Sequence, residues 1–120
     1  MTLWHATERA WAKEILQSGF YGSWGDCAFG VYFFDNLRMA VAWARKNPVI
    51  KYKDPVLIEA RSVEVRTCED IMGSIPADWE NEREKYEHTW VHVMSEDNEE
   101  GRWKPVQMQI IELSGPSKPS

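Results

Sequence analysis

The chain has no apolar run approaching the roughly 20 residues that a membrane-spanning helix requires. It holds two cysteines, Cys27 and Cys68, and three histidines, His5, His88 and His92. The cysteines lie 41 positions apart and these five do not make up a four-ligand set at metal-type spacing, so a zinc site is not expected. Bases are in deficit, 14 against 19 acids, for a net charge of −5. Nucleic-acid binding needs clustered lysines and arginines to meet phosphate, so this balance argues against a nucleic-acid partner. It leaves room for a small anionic ligand. No glycine-rich phosphate loop and no serine in a nucleophile-elbow pattern are present. Cys27 with His5 remains as one conceivable nucleophile pair. No secretory segment precedes the cysteines, so two reduced thiols in a cytoplasmic protein are expected.

What the chain has in quantity is large rings. Seven tryptophans run from Trp4 to Trp103 in 120 residues, and 43% of all residues are apolar. That is enough for one compact core, expected over residues 1–113, with a flexible tail over 114–120. So many rings are hard to bury completely, and some are expected to line a groove. The organising stretch is Ala28-Phe29-Gly30-Val31-Tyr32-Phe33-Phe34-Asp35, a continuous apolar run that reads as a buried strand ending at a pocket.

Taken in order, Thr2–His5 reads as a short strand. Thr7 then caps a helix whose buried stripe is Ala10, Trp11, Ile15 and Leu16, closed at Gly19 in the left-handed manner. The loop Phe20–Cys27 carries Tyr21, Trp24 and two glycines, and could fold over a ligand. Asn36 caps a second helix from Leu37 to Lys46, which Asn47-Pro48 closes. Pro55–Val65 alternates as a strand, bending towards Thr67. Asp70–Trp79 is turn-rich, and Ala77–Tyr86 is a charged run that reads as a solvated helical face. Trp90–Met94 is a short strand, Ser95–Gly101 an acidic turn, and Pro105–Leu113 the last strand.

Two separated stretches carry a resemblance. Trp4-His5-Ala6-Thr7 precedes a helix, and Gly30-Val31-Tyr32-Phe33 precedes a helix with Trp43. In that order they resemble the poly(ADP-ribose)-polymerase-like and diphtheria-toxin-like ADP-ribosyltransferases, the group with a His-Tyr-Glu triad. RNA 2′-phosphotransferases share that fold and match less well. The resemblance covers residues 3–44 and the strand from Pro55, and is thin beyond. It implies a small α+β domain, a split β-sheet sandwich with two or three short helices.

It also implies roles. NAD would be the substrate and no metal would be needed. His5 would hydrogen-bond the 2′-hydroxyl of the nicotinamide ribose. Ala6, where the family usually has glycine, would grip the carboxamide through its backbone, and Thr7 would brace the turn. Tyr32 and Trp43 would sandwich the nicotinamide ring, with Tyr21 in the covering loop. Ala40 stands where polymerase-like members have a carboxamide-binding serine. For the family's glutamate, near the start of a late strand, the sequence offers Gln109 first and Gln107 second, with Glu100 and Glu112 as alternatives in another register.

The expected function is mono-ADP-ribosylation of a protein or small molecule, by a toxin-like or phage-type effector that is delivered into or expressed in a host cell. The alternatives are a non-catalytic NAD- or protein-binding module, an NAD glycohydrolase and an RNA 2′-phosphotransferase.

Overall fold

A computed structural model describes residues 1–47, 50–61, 63–74, 83–95 and 101–113. Its elements, in chain order, are β1 (Thr2–Glu8), α1 (Arg9–Ser18), β2 (Phe20–Tyr21), β3 (Ser23–Trp24), β4 (Phe29–Phe34) and α2 (Leu37–Lys46). There follow β5 (Pro55–Arg61), β6 (Arg66–Thr67), α3 (Cys68–Met72), α4 (Arg83–Glu87), β7 (Thr89–Val93), β8 (Arg102–Trp103) and β9 (Gln107–Glu112). This is an α+β fold with an antiparallel sheet of seven strands and four short helices among the described residues. The main sheet runs β6-β7-β4-β1-β5-β9, with β3 also on β4, while β2 and β8 form a separate ladder.

The sheet is split. β1 pairs with β5 along its whole length, from Thr2↔Arg61 to Glu8↔Pro55. Against β4 it makes a single register pair, Trp4↔Phe34. The far end of that same strand pairs with β3 at Ser23↔Gly30 and Trp24↔Phe29. Between these contacts Val31–Phe33 faces His5–Thr7 with no ladder, and the two half-sheets diverge there. On its other edge β4 is fully paired with β7, from Gly30↔Val93 to Phe34↔Thr89.

Helices cover both faces, so β5 is buried on both, with Val56, Leu57 and Ile58 all at 0% exposure. One core, under α1, gathers Leu3, Ala12, Phe20, Val31, Phe33, Val56, Ile58 and Ala60. The other, under α2, holds Ala6, Phe34, Ala40, Ala44 and Leu57. α2 starts and stops where the sequence predicts, and Asn36 Oδ1 accepts the Met39 amide at 3.0 Å.

Several expectations are corrected. β1 runs through Thr7 to Glu8, because pairing with β5 outcompetes an early helix start. Glu8, not Thr7, is then the N-cap residue, without a side-chain cap bond. In α1 the buried residue is Ala12, while Trp11 is 48% exposed. Gly19 has φ +95° but ψ 175°, outside the left-handed helical region, and its N–H still closes on the Ile15 carbonyl at 2.7 Å. The Pro55 strand ends at Arg61, and the chain resumes pairing in β6. Pro48, residues 75–82, most of the acidic turn (96–100) and the tail (114–120) lie outside the described residues.

The thiols are not free. Cys27 and Cys68 form a disulfide with a Cα–Cα distance of 5.6 Å across a sequence separation of 41. It ties the loop before β4 to the start of α3. Cys68 belongs to a third small core with Tyr86 and Val91, against which Cys27, Ile71 and Tyr32 are packed. Among the described residues no helix is long and apolar enough to cross a membrane.

Candidate functional site

The split opens into a cleft of about 670 Å³. β1 contributes His5, Ala6 and Thr7, and β4 contributes Tyr32, Phe33 and Phe34. α1 and α2 add Trp11 and Trp43, the loop around β3 adds Trp24, Gly25 and Asp26, and Tyr52 closes one side. The far wall is Lys85 and Tyr86 of α4 with Thr89 of β7. Eight of the lining residues are Phe, Tyr or Trp, so flat ligands would find aromatic faces on several sides.

His5 and Tyr32 meet across the split. Where β1 leaves β4, the Tyr32 carbonyl loses its ladder partner, and His5 Nδ1 takes that place at 2.7 Å. A carbonyl only accepts, so Nδ1 carries the proton. The His5 ring stands edge-on to Phe20, with centroids 4.9 Å apart, and to Phe33 at 5.8 Å. Burial among these rings pushes its pKa below 6.5, against a smaller upward pull from the Tyr32 carbonyl. At neutral pH His5 is therefore the neutral Nδ1–H tautomer, and its Nε2 lone pair has no hydrogen-bond partner among the described residues. It can accept a hydroxyl proton or a hydrogen bond.

The Tyr32 phenol is engaged in holding the loop. It donates to the Ala28 carbonyl at 2.6 Å and accepts from the Ala28 and Cys27 amides at 3.0 and 3.3 Å. A Cβ at Gly25 would lie 2.5 Å from Tyr32 Cε1, so the ring packs directly on that glycine's backbone. Tyr32 thus shapes the cleft through its ring while its oxygen seals the turn. At the end of β4, Asp35 takes His88 Nδ1 at 2.7 Å and Trp90 Nε1 at 2.9 Å, locking the strand end rather than entering the cleft.

Of the sequence-predicted residues, His5, Ala6, Thr7, Tyr32 and Trp43 share the cleft. Four others do not. Ala40 is at 0% exposure in the core beneath α2, so its methyl fills helix–sheet space. Tyr21 is exposed on the β2–β8 ladder, with the Arg102 guanidinium 4.2 Å over its ring. Gln109 donates to Glu59 at 2.9 Å, and Glu59 in turn accepts Trp4 Nε1 at 3.1 Å. Gln107 and Gln109 line a separate shallow depression with Glu59 and Arg61. Glu112 is tied at the surface to Arg9, which holds its carboxyl below the usual range. Glu100 lies outside the described residues. Cys27, bound to Cys68, cannot act as a nucleophile beside His5 in this oxidised form.

The late strand that borders the cleft is β7, not β9. β9 pairs with β5 on the far side of β1, whereas β7 is the neighbour of β4. Its first residue, Thr89, lies in the cleft wall, with its hydroxyl donating to the Lys85 carbonyl at 2.7 Å. Thr89, Lys85 and Tyr86 are not among the residues that the sequence pattern singles out. The charged run that holds Lys85 and Tyr86 and precedes Thr89 has the pattern of a solvated surface, and only strand order reveals which late strand is adjacent.

Trp43 is also more occupied than a bare stacking platform. The Lys85 ammonium stands 5.0 Å from the Trp43 ring centroid and 5.2 Å from that of Tyr86. Among the described residues no group of three His, Cys, Asp or Glu side chains could hold a metal ion. Comparisons with protein-family models, with curated proteins and with solved structures found no match.

Proposed function

We propose that the cleft binds NAD and that the protein transfers ADP-ribose from it to an acceptor, releasing nicotinamide. The observation that carries this reading is the meeting of His5 and Tyr32 at the divergence of β1 and β4, inside an aromatic-walled cleft. These are the two residues that the resemblance to ADP-ribosyltransferases singles out. The reading assigns His5 Nε2 to a hydroxyl of the nicotinamide ribose, as hydrogen-bond acceptor. Aromatic walls favour the flat cationic nicotinamide by on the order of 1 kcal/mol, more when water is excluded. In the reaction the bond from ribose C1′ to the nicotinamide nitrogen breaks, and its electron pair leaves with neutral nicotinamide. The acceptor atom then bonds C1′ and loses its proton. The sugar passes through an oxocarbenium-like state that a nearby negative charge would stabilise.

That last requirement favours a second reading, a module of the same shape that binds NAD without turning it over. The residue of β7 on the cleft is Thr89, and Asp26 is the sole carboxylate in the cleft wall among the described residues. An RNA phosphotransferase is disfavoured, because Lys85 is the sole cationic side chain there.

The test is chromatographic measurement of nicotinamide release from NAD by the purified oxidised protein, beside calorimetric NAD titration. Release that disappears in Tyr32→Ala supports the enzyme. Labelled ADP-ribose bound to an acceptor identifies transfer, and free ADP-ribose identifies hydrolysis. Binding without release selects the module. Absence of NAD binding at millimolar concentration refutes both.

A further inference from the structure

We infer that Lys85 is the specificity-determining anion contact of the cleft, taking the diphosphate of a nucleotide ligand in exchange for its present partner, Asp26. This rests on the reading that the cleft binds NAD, and adds to it the residue that selects a phosphate-bearing ligand over a bare nucleoside.

Three observations support the assignment. Lys85 is the sole cationic side chain lining the cleft among the described residues, since His5 is held neutral by burial. In a chain of net charge −5, an anion entering this space meets one centre of opposite sign. Next, Lys85 is held over the cleft rather than extended into water. Its ammonium lies within about 5 Å of both the Trp43 and Tyr86 rings. Its backbone is anchored by Thr89 Oγ1 and the His88 amide, which both donate to the Lys85 carbonyl, at 2.7 and 3.2 Å. Finally, its counter-ion is loose. Asp26 stands 3.8 Å away on the loop before β4, with its side chain 45% exposed. So long and solvated a pair is weak, whereas a diphosphate brings two charges and several acceptor oxygens. Exchange of partners costs little on the protein side, because the released Asp26 returns to water.

The experiment compares four probes on the oxidised protein by calorimetry: NAD, ADP-ribose, inorganic diphosphate and nicotinamide riboside, which has no phosphate. Lys85→Gln should weaken the three phosphate-bearing probes about tenfold or more, the loss expected for one charge-assisted contact. It should leave nicotinamide riboside within about twofold. Lys85→Arg should restore most of the affinity for the phosphate-bearing probes. Asp26→Asn should tighten diphosphate binding, and guards against a fold defect at position 85.

Equal weakening of nicotinamide riboside and NAD in Lys85→Gln would show a merely structural role and overturn the assignment. So would wild-type protein that binds NAD no better than nicotinamide riboside, which leaves the NAD reading standing. Conversely, Lys85-dependent diphosphate binding without NAD binding would sustain Lys85 and sink the NAD reading. Wild-type protein that binds none of the four overturns both.

Discussion

Removal of one oxygen, in Tyr32→Phe, separates the two duties of Tyr32. The phenol makes three hydrogen bonds to the loop before β4, with the Ala28 carbonyl and the amides of Ala28 and Cys27. The Ala28 carbonyl also accepts the Gly25 amide at 3.2 Å, so part of the turn survives without the phenol. The orphaned groups are half-buried, and water can reach some of them. At about 1 kcal/mol for each net hydrogen bond, partly recovered by solvent, the expected loss is about 1–3 kcal/mol. For a chain of this size that corresponds to a fall in Tm of roughly 4–12 °C. The ring stays, so the aromatic wall stays, and the Kd for NAD should change by less than about fivefold. Tyr32→Ala should lose both. Differential scanning calorimetry on the oxidised protein, paired with NAD titration, reads the two effects separately. A Tyr32→Phe protein that melts within about 1 °C of wild type would refute the loop-sealing account.

Three further outcomes are expected. Reduction of Cys27–Cys68, which opens a loop closed over a separation of 41 residues, should cost about 4 kcal/mol in urea unfolding. Full alkylation of both cysteines in the untreated, denatured protein would disprove the pairing. Stability should fall as pH drops below about 6.5, because the unfolded chain binds a proton at His5 while the folded one resists it. The urea midpoint should therefore be lower at pH 5.5 than at pH 7.5, by a smaller margin in His5→Asn; equal margins would contradict a neutral buried His5. Gly30→Ala should destabilise by about 2–4 kcal/mol, since the new Cβ meets the His92 carbonyl of the paired strand, which cannot move without breaking the ladder. Wild-type stability in that variant, measured by urea unfolding, would mean that β4 and β7 are not registered as described.

The local grammar of the chain was legible without coordinates. A continuous aromatic run ending at Asp35 makes β4, and Asn36 with the periodicity behind it makes α2 at Leu37–Lys46, because capping and hydrophobic period act over a few residues. Two motifs in order lead to the expectation that His5 and Tyr32 lie close together, and the two residues do line one cleft. What sequence could not show is which strand edges become neighbours. The β7 edge lies beside β4 and the β9 edge beside β5, so Thr89 reaches the cleft while Gln109 turns to Glu59. The disulfide and the placing of Lys85 over Trp43 are likewise decided at long range. Strand pairing, cross-links and cleft walls depend on the fold closing in three dimensions, and a linear pattern of polar and apolar residues does not encode which distant segments share an edge.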